Sequence, residues 1–154
     1  MSKRVFFSFH FDRDINRVMI VRNSHITKNE KRGFIDKAEF ETIQRKGEIA
    51  VKSWIDKQLS GTSVTVVLLG SETLSRPYVQ YEIIESYKKG NKIIAINICG
   101  IKDLKGNLCK KQSLKVCVGR DNQGNNIYFD NIINDYYDYI DDNGYQNLES
   151  WINK

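Results

Sequence analysis

The chain has 154 residues, 40% of them apolar and 28% charged, with 10 glycines and 1 proline. That is the size and make-up of one soluble domain, with little room for a second core and no linker-like tract. The apolar runs Val64–Leu69 and Ile93–Ile96 fall far short of the ~20 residues that span a bilayer, and the start Met1–Phe9 is too short in apolar residues for a secretory leader. A cytoplasmic protein without a membrane segment is therefore expected.

The formal charge is +5, unevenly spread. Lys and Arg outnumber acids 6 to 1 over residues 101–120, whereas acids outnumber them 7 to 1 over 121–154. A basic loop and an acidic tail do not make a stripe along one element, which disfavours nucleic acid and favours a small anionic ligand. The cysteines Cys99, Cys109 and Cys117 are odd in number and follow no leader, so reduced thiols are expected. Their spacing, and their distance from His10 and His25, disfavours a zinc site.

In chain order, Arg4–Phe9 reads as a strand apolar on both faces, and 12–23 as a helix with Ile15, Val18 and Met19 on one side and Asp12 or Asp14 as its cap. Residues 24–33 read as a loop with a short strand at 24–27, and 33–36 as a second short apolar piece. The spacing of Ile49, Ala50, Trp54, Ile55 and Leu59 predicts a helix over 45–60, ended by Ser60-Gly61. Thr62–Leu69 is the clearest buried strand. Pro77 opens a helix that runs to Lys89, with Ser75 as a cap and Ile83, Ile84 and Tyr87 as core contacts. Lys92–Ile98 is the next buried strand. Residues 100–126 lack a period, 127–129 read as a short strand, and 131–140 and 146–152 as helices. Strands alternating with helices give an α/β fold with a central parallel sheet and helices on both faces. One domain is expected over 1–154, with a core at 3–100, a variable excursion at 101–126 and a C-terminal helical segment at 127–154.

Ligands of parallel sheets bind beyond the carboxyl ends of the strands. That rule selects Phe9–Asp12, Gly70–Thr73 and Asn97–Gly100. The helix after the second patch carries Tyr78 and Glu82, four apart and so on one face. A carboxylate beside an aromatic ring near a strand-end crevice can be tuned by desolvation for catalysis. On spacing alone Glu82 reads more readily as a solvated residue favoured by the helix dipole. No G-x-G-x-x-G, Walker A or G-x-S-x-G sequence is present, and the strand ends lack the acidic cluster of a phosphoacceptor domain. Cys99 at a strand end reads better as an inert buried residue than as a nucleophile.

Lys3–His10, Val21–Asn23, Thr62–Thr73, Tyr78–Ile83, Lys89–Ile94 and the closing Gly144–Asn153 together resemble the TIR-like domain of Thoeris ThsB proteins. The resemblance covers 3–105, fades, and returns at 143–153. It implies a flavodoxin-like TIR fold and a role in bacterial anti-phage defence. It further implies that NAD is consumed as a substrate, with no separate cofactor and no metal, to make a cyclic ADP-ribose-type signal or a related conjugate. A phage-derived trigger and a separate effector protein, reached through that diffusible product, are implied partners. Glu82 matches the family's catalytic glutamate, four positions after an aromatic that is usually tryptophan in TIR domains and here is Tyr78. By position, Phe9 and His10 resemble part of the pocket rim, and Phe34 and Asp36 fall in the loop after the second strand. Ser71 lies at a strand end on the same side, and Arg76 at the helix start suits a pyrophosphate. The alternative is a non-catalytic TIR module that acts by self-association as a homo-oligomer.

Overall fold

The structure is a computed structural model that describes residues 4–25 and 37–154. Four parallel strands make its central sheet in the order β1-β2-β3-β6: β1 Val5–Ser8, β2 Val64–Leu69, β3 Lys92–Asn97 and β6 Asp135–Asp138. The helices are α1 Phe11–His25, α2 Lys37–Gln44, α3 Glu48–Leu59, α4 Pro77–Lys89, α5 Phe129–Ile132 and α6 Gly144–Asn153. A two-stranded antiparallel ribbon, β4 Cys117–Arg120 with β5 Asn126–Tyr128, stands apart from the sheet. The expected α/β fold with a parallel central sheet is what forms.

The strand register explains why β2 is apolar almost throughout. All six of its residues are buried, because β1 and β3 flank it and helices cover both faces. Val66 pairs with Phe7 on one side and Ile94 on the other, and these share one face. That face packs with α1 through Val18 and Val21, and with α6 through Leu148 and Trp151. The opposite face holds Ser8, Thr65, Val67, Ile93 and Ala95, and α4 lies across it through Val79, Ile83 and Ile84.

Hydrogen bonds fix α4 on its face. Thr65 Oγ1 donates to Ser86 Oγ at 2.7 Å, and Ser86 Oγ donates to the Glu82 carbonyl at 2.7 Å. Asn91 Nδ2 donates to Thr62 Oγ1 and Thr65 Oγ1 just beyond the helix end, which Gly90 closes in the left-handed region at φ 90°. The helix is thus tied to the sheet along a polar stripe as well as an apolar one. For that reason Tyr87, expected in the core, is 46% exposed.

Other expectations also need correction. Ile49 is 87% exposed, because the buried side of α3 runs through Val51, Trp54, Ile55 and Leu59. The helix predicted over 45–60 forms as α3, Glu48–Leu59, and it is preceded by a helix the sequence reading did not give, α2. Ser75 does not cap α4; it ends a 3-10 turn over Thr73–Ser75 and donates to the Glu72 carbonyl. Residues 127–154 are not a helical segment: β5, α5 and β6 precede α6, and the predicted helix over 131–140 is in its middle the edge strand β6. Residues 24 and 25 belong to α1, and the piece at 33–36 falls outside the described residues. Cys99 and Cys109 form a disulfide with Cα atoms 4.5 Å apart, which leaves Cys117 as the exposed free thiol and corrects the expectation of reduced thiols. The pairing follows from the loop path: Cys109 N–H bonds the Cys99 carbonyl at 3.1 Å, while Arg17 grips the carbonyls of Ile101 and Asn107 at 2.7 and 2.8 Å.

Strand β6 has one sheet neighbour, so its hold depends on side chains. Tyr137 stacks on Trp151 of α6 with ring centroids 4.0 Å apart. Trp151→Ala should lose about 3 kcal/mol of unfolding free energy in a denaturant titration. Tyr137→Phe, which keeps the stack, should stay within about 1 kcal/mol of the parent.

Candidate active site

The carboxyl ends of β1 and β2 and the first turns of α1 and α4 enclose the candidate site. Glu82 lies in the second turn of α4, facing the sheet, and only 4% of it is exposed. Ser8, the last residue of β1, donates its hydroxyl to Glu82 Oε1 at 2.6 Å. Burial pushes the Glu82 carboxyl from 4.5 up to about 8, against a smaller opposing pull from the Ser8 hydrogen bond. The solvated reading of this residue does not hold.

Aromatic rings contributed by three helices and the β1 end form a cluster with Tyr78, one turn before Glu82. Phe9 stacks on Phe11 at 5.3 Å, Phe11 on Phe40 at 5.0 Å, and Phe40 meets Trp54 at 5.8 Å and the edge of Tyr78 at 6.5 Å. Trp54 Nε1 donates to Glu39 Oε1 at 3.1 Å, which ties α2 to α3. Phe9 is itself buried, so it works as a base for the stack more than as an outer rim.

A polar ring lies at the same strand ends. Asp14 turns inward from α1 and is buried, instead of capping its helix. It accepts from Thr73 Oγ1 at 3.1 Å, and Thr73 Oγ1 in turn accepts from Gly70 N–H at 2.7 Å. A methyl group at Gly70 would run into the Asp14 carboxylate, so this turn needs glycine for close approach. Burial raises the Asp14 pKa, opposed by the Thr73 hydrogen bond and by His10, Arg17 and Arg13. His10 is shifted the other way. Burial and the Arg76 charge lower its pKa, opposed by Asp14, Asp12 and Glu72. Three polar atoms here, His10 Nδ1, Ser71 Oγ and Arg76 Nε, are buried without a hydrogen-bond partner among the described residues. Buried polar atoms of that kind cost free energy unless a ligand or water satisfies them.

The fold therefore brings His10, Ser71, Arg76, Tyr78 and Glu82 to one end of the sheet, with Phe9 beneath. Phe34 and Asp36 lie outside the described residues. Sequence reasoning missed Ser8 and Asp14. The first had a signal, as the one polar residue in the run Val5–Phe9. Cys99 is closed to nucleophilic chemistry by its disulfide. Among the described residues no group of three or more His, Cys, Asp and Glu side chains is placed to hold a metal ion, and no helix is long and apolar enough to cross a membrane.

Two comparisons bear on this site. The family model described as "Thoeris protein ThsB, TIR-like domain" matches residues 6–103, a span that includes Ser8, Tyr78 and Glu82. A relative from Bacillus cereus (strain MSX-D12), named "Putative cyclic ADP-D-ribose synthase ThsB1", is 46% identical over 114 residues. That match covers 72% of this chain and 59% of the relative, so the chain spans well under two thirds of the relative's length.

The buried carboxyl makes a signed prediction about stability. Its folded pKa of about 8 lies above the ordinary value of 4.5, so between those values the folded state keeps a proton that the unfolded state releases. The stability it contributes is complete below pH ~4.5 and is lost as pH rises through ~8, with a limiting slope of about 1.4 kcal/mol per pH unit. In urea titrations from pH 5 to 9, Glu82→Gln should remove this decline, making the variant more stable than the parent at pH 9. A variant that declines as steeply as the parent would place the titration elsewhere.

Proposed function

The chain belongs to the Thoeris ThsB TIR-like family, and from that premise we propose that it cleaves the nicotinamide–ribose bond of NAD and makes a cyclic ADP-ribose-type signal for anti-phage defence. The observation that carries the reading is Glu82: a buried carboxyl, held by Ser8, one helical turn from an aromatic side chain. The name of the Bacillus cereus relative is in keeping with it.

The chemistry follows from charge. Breaking the glycosidic bond sends its electron pair to the nicotinamide, which leaves neutral, and positive charge builds on the ribose. An ionised Glu82 stabilises that charge in a site with little water. The free protein holds Glu82 mostly protonated at neutral pH, since its pKa is about 8. A bound nicotinamide ring is cationic and favours the carboxylate, so ionisation accompanies productive binding. Buried Phe11 and Phe40 back the half-buried Tyr78, whose ring is placed for stacking and for keeping water from the ribose. Exclusion of water favours capture by a nucleophilic atom of the same ligand over hydrolysis. His10, Ser71 and Arg76 supply polar contacts to the rest of the dinucleotide, and Phe34 and Asp36 are assigned to its rim by position. The product acts on a separate effector protein, and a phage-derived trigger raises the activity. We place the reaction in the cytoplasm, with self-association as the form in which several such sites act together.

The test is NAD consumption and product mass, with and without material from infected cells. Glu82→Gln should fold and lose activity by at least about a hundredfold. The kcat/KM of the parent should rise with pH toward ~8, following the free protein, while the kcat profile should be displaced to lower pH by the cationic substrate. Undiminished turnover in Glu82→Gln would remove this residue from the mechanism. Absence of NAD loss under both conditions, with concentration-dependent assembly, would favour the interaction module.

A further inference from the structure

Glu72, in the turn between β2 and α4, holds two arginines at once. Arg13 Nη1 lies 2.6 Å from Glu72 Oε2, and Arg76 Nη2 lies 2.6 Å from Glu72 Oε1. The arginines come from different elements, the first turn of α1 and the residue before α4, and the Glu72 carboxylate bridges them beside the β1 and β2 ends. We propose that Arg13 and Arg76 form a clamp for a diphosphate, and that the Glu72 carboxylate is its resting occupant, displaced when the ligand binds. The inference rests on the reading that this crevice receives the dinucleotide.

Three observations carry it. First, Glu72 is not needed to shape its turn. The turn is set by its backbone, with Ser75 N–H and Ser75 Oγ both bonding the Glu72 carbonyl, and by the Gly70–Thr73–Asp14 chain beneath. The Glu72 side chain is 41% exposed and its arginine partners 53% and 40%, so these are screened pairs that exchange readily for a better anion. Secondly, the clamp is only partly satisfied. Glu72 engages Arg76 through Nη2 and leaves Arg76 Nε buried without a partner, and the neighbouring Ser71 Oγ is in the same condition. A diphosphate brings several acceptor oxygens where one carboxylate brings two, so it can take both guanidinium groups and still reach those donors. Thirdly, the charges balance better with the ligand. Two arginines face one carboxylate at rest, whereas the diphosphate of a dinucleotide carries two negative charges. His10, held neutral beside Arg76 by burial and by that charge, adds no competing cation.

The role of Glu72 in this scheme is selectivity. A ligand with a single weak charge gains little by replacing a carboxylate already in place, and an uncharged nucleoside gains nothing. Arg13 and Glu72 therefore determine which anions enter, apart from the bond-breaking work of Glu82.

Calorimetric titration of the full chain with inorganic pyrophosphate, at low and at moderate salt, tests this directly, with ADP as a second probe and adenosine as the uncharged control. The parent should bind pyrophosphate, more weakly as salt rises. Arg13→Gln should weaken binding about tenfold. Glu72→Gln should tighten it severalfold, because the competing charge is gone while the side-chain shape remains. Melting curves should show all variants folded, since both positions are exposed. Equal affinity of parent and Arg13→Gln, or no pyrophosphate binding by the parent, would overturn the clamp. If Glu72→Gln weakens binding as Arg13→Gln does, Glu72 is a strut that orients the arginines and the displacement idea fails. The readout is anion binding alone, so a failure of NAD turnover leaves this result intact and the two readings stand or fall separately.

Discussion

A carboxyl group that cannot reach water has to stay neutral or find a cation, because burying its charged form costs several kcal/mol. Glu82 meets that constraint with the Ser8 hydroxyl at 2.6 Å, and burial outweighs that hydrogen bond and keeps the carboxyl protonated up to about pH 8. The surrounding structure is arranged to keep it there. Ser8 must end β1 with its side chain on the α4 face, which the β1–β2 register enforces. Meanwhile α4 must present Glu82 and Ser86 to the sheet, which Thr65 and Asn91 secure from the other end of the helix. Shifting β1 by one residue would put a phenylalanine opposite the carboxyl and leave it without a partner.

Around this neutral acid the crevice divides into two electrostatic regions. The aromatic side, from Phe9 to Trp54 and Tyr78, carries no charge and suits ring stacking. The polar side runs from His10 and the buried Asp14 to Glu72 and its two arginines. A molecule with a cationic ring at one end and phosphates further along matches that division. Gly70 lies within the polar side. Its missing side chain lets Asp14 come up against the β2–α4 turn, so the turn and α1 hold each other's position.

The sequence was most informative where one physical effect dominated. Strand β2 was legible because complete burial leaves only apolar and β-branched residues, and α4 because proline opens it and glycine closes it. Strand β6 was not, since Asp135–Asp138 has acids at both ends, lies at the sheet edge and gains its burial from a ring stack with residue 151. Periodicity assigned Ile49 and Tyr87 to the core because it counts apolar residues and cannot see that a helix is turned by a polar stripe. Glu82 and Ser86 occupy the inward positions that the apolar count gave away. Tyr78 and Glu82 were legible together from their four-residue spacing beyond a strand end, and the resemblance gave Glu82 its role, whereas the partner Ser8 and the pair Arg13–Glu72 emerge only when distant segments meet. The cysteine pairing was missed for a related reason: an odd count speaks about compartment, while the Arg17 contacts that shape the 99–109 loop join residues far apart in sequence.

The family match stops at residue 103, inside the loop that the disulfide closes, yet the sheet does not stop there. The Asp135 and Lys92 side chains lie 3.6 Å apart, Asn97 bonds Asp138, and Trp151 covers Tyr137, so the last fifty residues seal the free edge of β3. The matched portion thus contains the strand ends and the helix that build the site, and the portion beyond it braces the β3 edge. A change in that brace alters how firmly β3 is held at its outer edge, while the strand ends that position Ser8 and Glu82, two strands away, keep their own contacts.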